Sequence, residues 1–114
     1  VDIKGEYVAI KGWLEVTEVK CFDFCRGLER IGVKTIICTD ISKDGMLGGT
    51  NTELYKKLND NFDMNIIASG GISSLDDIRK LSEFNIYGAI LGKAIYEGAI
   101  DLKEAVETAR RTAK

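Results

Sequence analysis

Short apolar runs alternate along this chain with segments whose apolar residues recur every three or four positions. Thr35-Ile36-Ile37-Cys38-Thr39, Asn65 to Ser69 and Tyr87 to Leu91 read as buried strands. Their near-continuous apolar character is expected of a parallel sheet covered by helices. Between them lie helical patterns. Val19, Phe22, Cys25, Leu28 and Ile31 predict one buried face of a helix over 18–31, with Thr17 as N-cap and Gly32 as the stop. Asn51 or Thr52 caps a short helix carrying Leu54, Tyr55 and Leu58. Ser74 with Asp77 resembles a capping box for the helix of Ile78 and Leu81. Asp101 with Glu104 opens a final helix whose apolar face is Leu102, Ala105, Val106, Ala109 and Ala113. At the other end, Val1-Asp2-Ile3 reads as the tail of a strand, and Tyr7 to Ile10 as a short extra strand or hairpin arm.

Strand starts near residues 35, 65 and 87 are spaced by roughly 20–30 residues, the length of a βα unit. About three and a half such units, joined right-handed, give a parallel sheet with its helices on the outside. A closed eight-stranded barrel takes about 250 residues, whereas this chain has 114. The fold class expected is therefore α/β, half of a TIM (βα)8 barrel. Residues 1–114 form a single C-terminal (βα)4 half-barrel with parallel strands 5–8, outer helices and a truncated first strand.

In such a barrel the chemistry sits at the C-terminal ends of the strands. Collected along the chain, those ends are Asp2, Thr39-Asp40, Ser69-Gly70-Gly71 and Gly92-Lys93. Glycines at the ends of neighbouring strands let backbone N–H groups approach one anion without a Cβ between them, so Gly70-Gly71 and Gly92-Lys93 point to a phosphate. The plainer reading is that they only permit tight turns. A carboxylate at the mouth, Asp2, is able to act as a general acid or base. It is equally able to pair at the surface with Lys4 or Lys11. Thr39 can hydrogen-bond a substrate oxygen or simply fill a strand, and Asp40 points the other way along the pleat. The loop Ser42 to Thr50, with Asp44-Gly45 as a turn signal, is glycine-rich enough to fold over a ligand. Trp13, the one tryptophan, is suited to stacking on a flat base or to plugging an apolar gap.

Composition narrows the chemistry. A net charge of −2 gives no electrostatic footprint for nucleic acid or an anionic membrane. No apolar run approaches the ~20 residues of a membrane span, and Val1 to Lys4 lacks the apolar core of a secretory leader. Cys21, Cys25 and Cys38 have neither metal nor redox spacing, so buried free thiols and a reducing, cytoplasmic setting are expected. With no histidine in the chain, a Ser-His-Asp triad is excluded, and acid–base chemistry falls to carboxylates, lysine, tyrosine, cysteine or the substrate.

Five markers then coincide in order: Val1-Asp2-Ile3-Lys4-Gly5, Ile10-Lys11-Gly12-Trp13-Leu14, Thr39 to Gly45, Ala68-Ser69-Gly70-Gly71-Ile72 and Gly92-Lys93-Ala94. As a set they resemble the C-terminal half of the histidine-biosynthetic phosphoribosylformimino-aminoimidazole carboxamide ribotide isomerase family, over essentially the whole chain. The resemblance implies an Amadori rearrangement of an aminoaldose ribotide (ProFAR) to an aminoketose (PRFAR), without metal or organic cofactor. It implies that Asp2 is the general acid and that Thr39 holds substrate near the reacting carbons. By the same resemblance, Gly71 and Gly92-Lys93 form one of two sites gripping a bisphosphate substrate. Asp44-Gly45 then belongs to a mobile loop, and Trp13 to a loop that closes over the ligand. The family's general base and second phosphate site lie in the other half. The 114 residues alone are therefore expected to have little or no activity, and to associate with an N-terminal half-barrel or with a second copy. Three other readings stand beside this one: the sister cyclase of the same pathway, a dual-substrate isomerase that also serves tryptophan biosynthesis, and a non-catalytic phosphate-binding module that self-associates.

Overall fold

The computed structural model describes residues 1–10, 12, 15–43 and 49–112. In chain order the elements are β1 (Asp2–Lys4), β2 (Tyr7–Ile10), β3 (Glu15–Lys20), α1 (Cys21–Arg30), β4 (Thr35–Asp40) and α2 (Thr52–Asn61). They continue with β5 (Asn65–Ser69), α3 (Leu75–Glu83), β6 (Gly88–Ala89), α4 (Lys93–Tyr96) and α5 (Leu102–Thr112). One six-stranded sheet runs in the order β3-β2-β1-β4-β5-β6. The segment β1-β4-β5-β6 is parallel throughout. β2 and β3 add an antiparallel ribbon on the β1 side.

α1, α2 and α3 turn their buried residues toward the sheet, and α5 packs against α3. Ile3, Ile36, Cys38, Ile66 and Ala68 project from one face of the sheet into a single core with Cys21, Cys25, Tyr55, Leu58, Ile78 and Leu81. The opposite face is not covered in this way: Ile37 is 46% and Ile90 45% exposed. The strands thus alternate between a helix-covered face and an open one, rather than being buried on both.

Local signals set the helix starts. The Asn51 Oδ1 accepts from the Leu54 N–H at 3.1 Å and opens α2. The Ser74 Oγ accepts from the Asp77 N–H at 3.2 Å and opens α3. The return bond of this box goes one residue further back, from the Ser73 N–H to the Asp77 Oδ2 at 3.0 Å. At α5 the Asp101 Oδ2 accepts from the Glu104 N–H at 3.2 Å. Each such cap is worth about 1 kcal/mol.

Three expectations need correction. Thr17 does not cap a helix: residues 15–20 form β3, and α1 begins only at Cys21. The Thr17 hydroxyl instead donates to the Val8 carbonyl at 2.7 Å; Val16 pairs with Ala9 of β2, and Thr17 and Val19 fall where the register between β2 and β3 slips. Val19 and Ile31 are accordingly exposed and not part of a buried stripe. The last strand is shorter than Tyr87 to Leu91. Only Gly88–Ala89 is laddered, although the Tyr87 N–H reaches the Ile66 carbonyl (3.1 Å) and the Ile90 N–H that of Ala68 (2.9 Å). Finally, α5 buries Ala105, while Leu102 and Val106 remain exposed; Ala113 lies outside the described residues.

All three cysteines are buried free thiols, as expected. The sulfurs of Cys21 and Cys25 lie 3.9 Å apart. A hydrogen bond with Cys25, and then burial, push the Cys21 and Cys38 thiols above their ordinary range. Among the described residues no group of three or more His, Cys, Asp or Glu is placed to hold a metal ion. Among them, too, no helix is long and apolar enough to cross a membrane.

Candidate functional site

Asp2 is the first residue of β1, not the last as expected from the sequence, yet the sheet register sets it beside the ends of β4 and β5. Asp2 is the parallel partner of Thr39, and Thr39 is the partner of Ser69. In a parallel ladder, residues at equivalent positions share a face, so a carboxylate and two hydroxyls stand in one row. That row lies on the open face, opposite Ile3, Cys38 and Ala68. Asp2 is half-buried, and Thr39 is 9% exposed.

Immediately beyond Ser69 the chain turns through Gly70 and Gly71, at φ 101° and 79°. Both angles fall in the left-handed region, where a side chain is strained. At Gly71 the close approach is also steric. A Cβ there would sit 2.5 Å from the Gly49 carbonyl oxygen and 2.8 Å from both Cβ and O of Lys43. The glycine turn is thus pressed against the two ends of the loop between β4 and α2. Gly92 follows β6, the neighbour of β5 in the sheet, and caps α4. A Cβ on Gly92 would meet nothing within 4 Å. The Lys93 ammonium lies 3.7 Å from the Glu97 carboxylate, along its own helix. Trp13, Asp44 and Gly45 fall outside the described residues.

Asp40 points away from the row, as the pleat requires. It is 5% exposed, and hydrogen bonds satisfy its carboxylate. Its Oδ1 accepts from the Ser42 N–H at 3.1 Å and the Ser42 hydroxyl at 2.6 Å. Its Oδ2 accepts from the Asn51 amide at 2.9 Å. One carboxylate thereby joins the end of β4 to the residue that caps α2.

Two residues important to this architecture carry no signal of their own in the sequence. Tyr55, fully buried on α2, takes the Asp40 N–H on its hydroxyl at 3.3 Å and donates to the Ser69 carbonyl. Burial pushes its pKa up to about 12, so it remains a donor near neutrality. The Thr50 hydroxyl donates to the Gly70 carbonyl at 2.7 Å. Read as sequence, Tyr55 is one apolar position on a helix; only the fold gives its hydroxyl two backbone partners.

A parallel β/α sheet with helices on one face, its polar residues and glycine turns gathered at the strand ends, is the construction of part of a (βα)8 barrel. The chain belongs to the histidine biosynthesis protein family, which it matches over residues 1–101. Several curated relatives are named 1-(5-phosphoribosyl)-5-((5-phosphoribosylamino)methylideneamino) imidazole-4-carboxamide isomerase. That of Clostridium novyi (strain NT) is 54% identical over 97% of this chain and 47% of its own length. That of Clostridium botulinum (strain Langeland) is 51% identical over 94% of this chain and 44% of its own length. That of Bacillus cereus (strain AH820) is 48% identical over 96% of this chain and 46% of its own length. The chain therefore spans about half the length of the curated relatives it matches.

Proposed function

We propose that this chain supplies the C-terminal half-barrel of the imidazole-4-carboxamide isomerase of histidine biosynthesis, which turns an aminoaldose ribotide into an aminoketose. The observation that carries this reading is the row Asp2–Thr39–Ser69 ending at the Gly70-Gly71 turn, in a chain whose relatives bear that isomerase name. Opening the sugar ring needs a proton delivered to the ring oxygen, and a half-buried carboxyl on Asp2 is the group on this row able to deliver it. The Thr39 hydroxyl, beside Asp2 in register, is placed to hold a substrate oxygen while the proton moves.

Migration of the double bond also requires removal of the C2 proton. Asp2 cannot serve as acid and base in the same step, and by the family resemblance the second group lies in the other half of the barrel. The backbone of Gly70, Gly71, Gly92 and Lys93 is suited to one phosphate of a bisphosphate ribotide. The other phosphate then lies across the barrel. The open sheet face bearing Ile37 and Ile90 is the surface an N-terminal half-barrel, or a second copy, covers.

Inorganic phosphate titrated into 15N-labelled chain tests the phosphate half of this reading. The amide resonances of Gly70, Gly71, Gly92 and Lys93 should move together and saturate. Shifts spread evenly over the surface lysines, with these four unmoved, would remove the glycine turns from the site.

A further inference from the structure

We propose that Tyr55 is a positioning residue for the candidate site, tying the end of β4 at Asp40 to the Gly70-Gly71 turn from the helix side of the sheet. The proposal rests on reading that turn as the phosphate site, and it adds how the turn is held.

Tyr55 sits behind the sheet and has no exposed surface, so its hydroxyl has no solvent to substitute for a lost partner. Its two partners are backbone groups at the ends of adjacent strands. The Asp40 N–H belongs to the peptide that follows Thr39, and the Ser69 carbonyl to the peptide that precedes Gly70. A single hydroxyl therefore sets the relative height of β4 and β5 just where Thr39 and Ser69 stand side by side.

Neighbouring contacts continue the clamp. The next carbonyl along the turn, that of Gly70, is held by the Thr50 hydroxyl at 2.7 Å. The Gly71 Cα is packed against Gly49 and Lys43, with no room for a Cβ. Asp40 fastens Ser42 and Asn51. Lys43, Gly49 and Thr50, on the connection from β4 to α2, thus all bear on the glycine turn.

Tyr55→Phe removes only the hydroxyl, and Leu58→Ala on the same helix is the control for simple loss of core packing. Amide hydrogen exchange on the 15N-labelled chain should show the Phe variant exchanging about tenfold faster at Asp40, Gly70 and Gly71, with Ile36 and Ile66 little changed. Leu58→Ala should instead speed exchange across β4 and β5 together. Where both variants are folded, inorganic phosphate should bind about tenfold more weakly to Tyr55→Phe and unchanged to Leu58→Ala. A Phe variant with the exchange pattern of Leu58→Ala, or with wild-type exchange at these amides, overturns the clamp. So does wild-type phosphate affinity in the Phe variant. If the wild-type chain gives no phosphate response but the localised exchange pattern appears, the clamp stands and the phosphate reading falls.

Discussion

Gly71→Ala should be severely destabilising for the addition of a single methyl group. The added Cβ would lie 2.5 Å from the Gly49 carbonyl oxygen and 2.8 Å from the Lys43 backbone oxygen and Cβ. Two of these contacts are backbone atoms, which cannot swing aside as a side-chain tip does. The residue also keeps φ near 79°, a conformation that costs an L-residue about 1–2 kcal/mol. Overpacking adds a further ~1–3 kcal/mol. Together these amount to roughly 2–5 kcal/mol, comparable with the whole stability of a marginal domain. A urea transition with a clearly lowered midpoint, or failure to fold, is expected. Gly92→Ala makes the internal comparison, because nothing lies within 4 Å of its Cβ position. That variant should keep its urea midpoint and lose phosphate response, since the methyl points into space a ligand would use. Equal midpoints for wild type and Gly71→Ala would contradict the close approach of turn and loop.

Asp2→Asn should have the largest effect on activity once the barrel is whole. Asn has the same shape but carries no proton to give, so the step that opens the sugar ring loses its acid. Removing such a group costs about 10²–10⁴-fold in rate. The loss should fall on kcat, with KM little changed, because the proposed phosphate contacts are elsewhere, at Gly70-Gly71 and Gly92. The comparison belongs in an assembly of this chain with an N-terminal half, where both catalytic groups are present. A variant with wild-type kcat would remove Asp2 from the reaction.

How much of this was legible in the sequence differs from element to element. β4 and β5 are continuous apolar runs flanked by polar turns, and the structure places them at 35–40 and 65–69. The starts of α2 and α3 follow from side chains acting within four residues, Asn51 on Leu54 and Ser74 on Asp77. Such local rules are readable because both partners lie in one short window. The helix expected from Thr17 failed for the opposite reason. Its three-residue apolar spacing is real, but pairing with β2 across the hairpin outweighs it: Tyr7 to Ile10 reads as an extra strand, while its partner strand reads as the start of a helix. The long β6 failed similarly, since a strand flanked on one side only by β5 keeps few ladder bonds.

The candidate site was legible as a set of residue types but not as a mechanism of support. Thr39 and Gly70-Gly71 stand at the ends of β4 and β5, where a polar residue and glycines interrupt apolar runs, whereas Asp2 opens β1 and joins them only through its register with Thr39. The register that lines up Asp2, Thr39 and Ser69 follows from the parallel ladder. By contrast, Tyr55 lies 15 residues from Asp40 and 14 from Ser69. Its spacing on α2 announces only a buried position, and a phenylalanine would give the same pattern. Asp40 likewise appears as a loop polar residue until its three hydrogen bonds to Ser42 and Asn51 are seen.

The central claim is that this chain holds the acid and one phosphate grip of the isomerase but not the base. The direct measurement is turnover of the aminoaldose ribotide by the purified 114-residue chain, alone and mixed with the N-terminal half of the Clostridium novyi relative. The account predicts no turnover above background from the chain alone, and turnover on mixing that disappears with Asp2→Asn. Clear turnover by the chain alone, or turnover on mixing that survives Asp2→Asn, would contradict it.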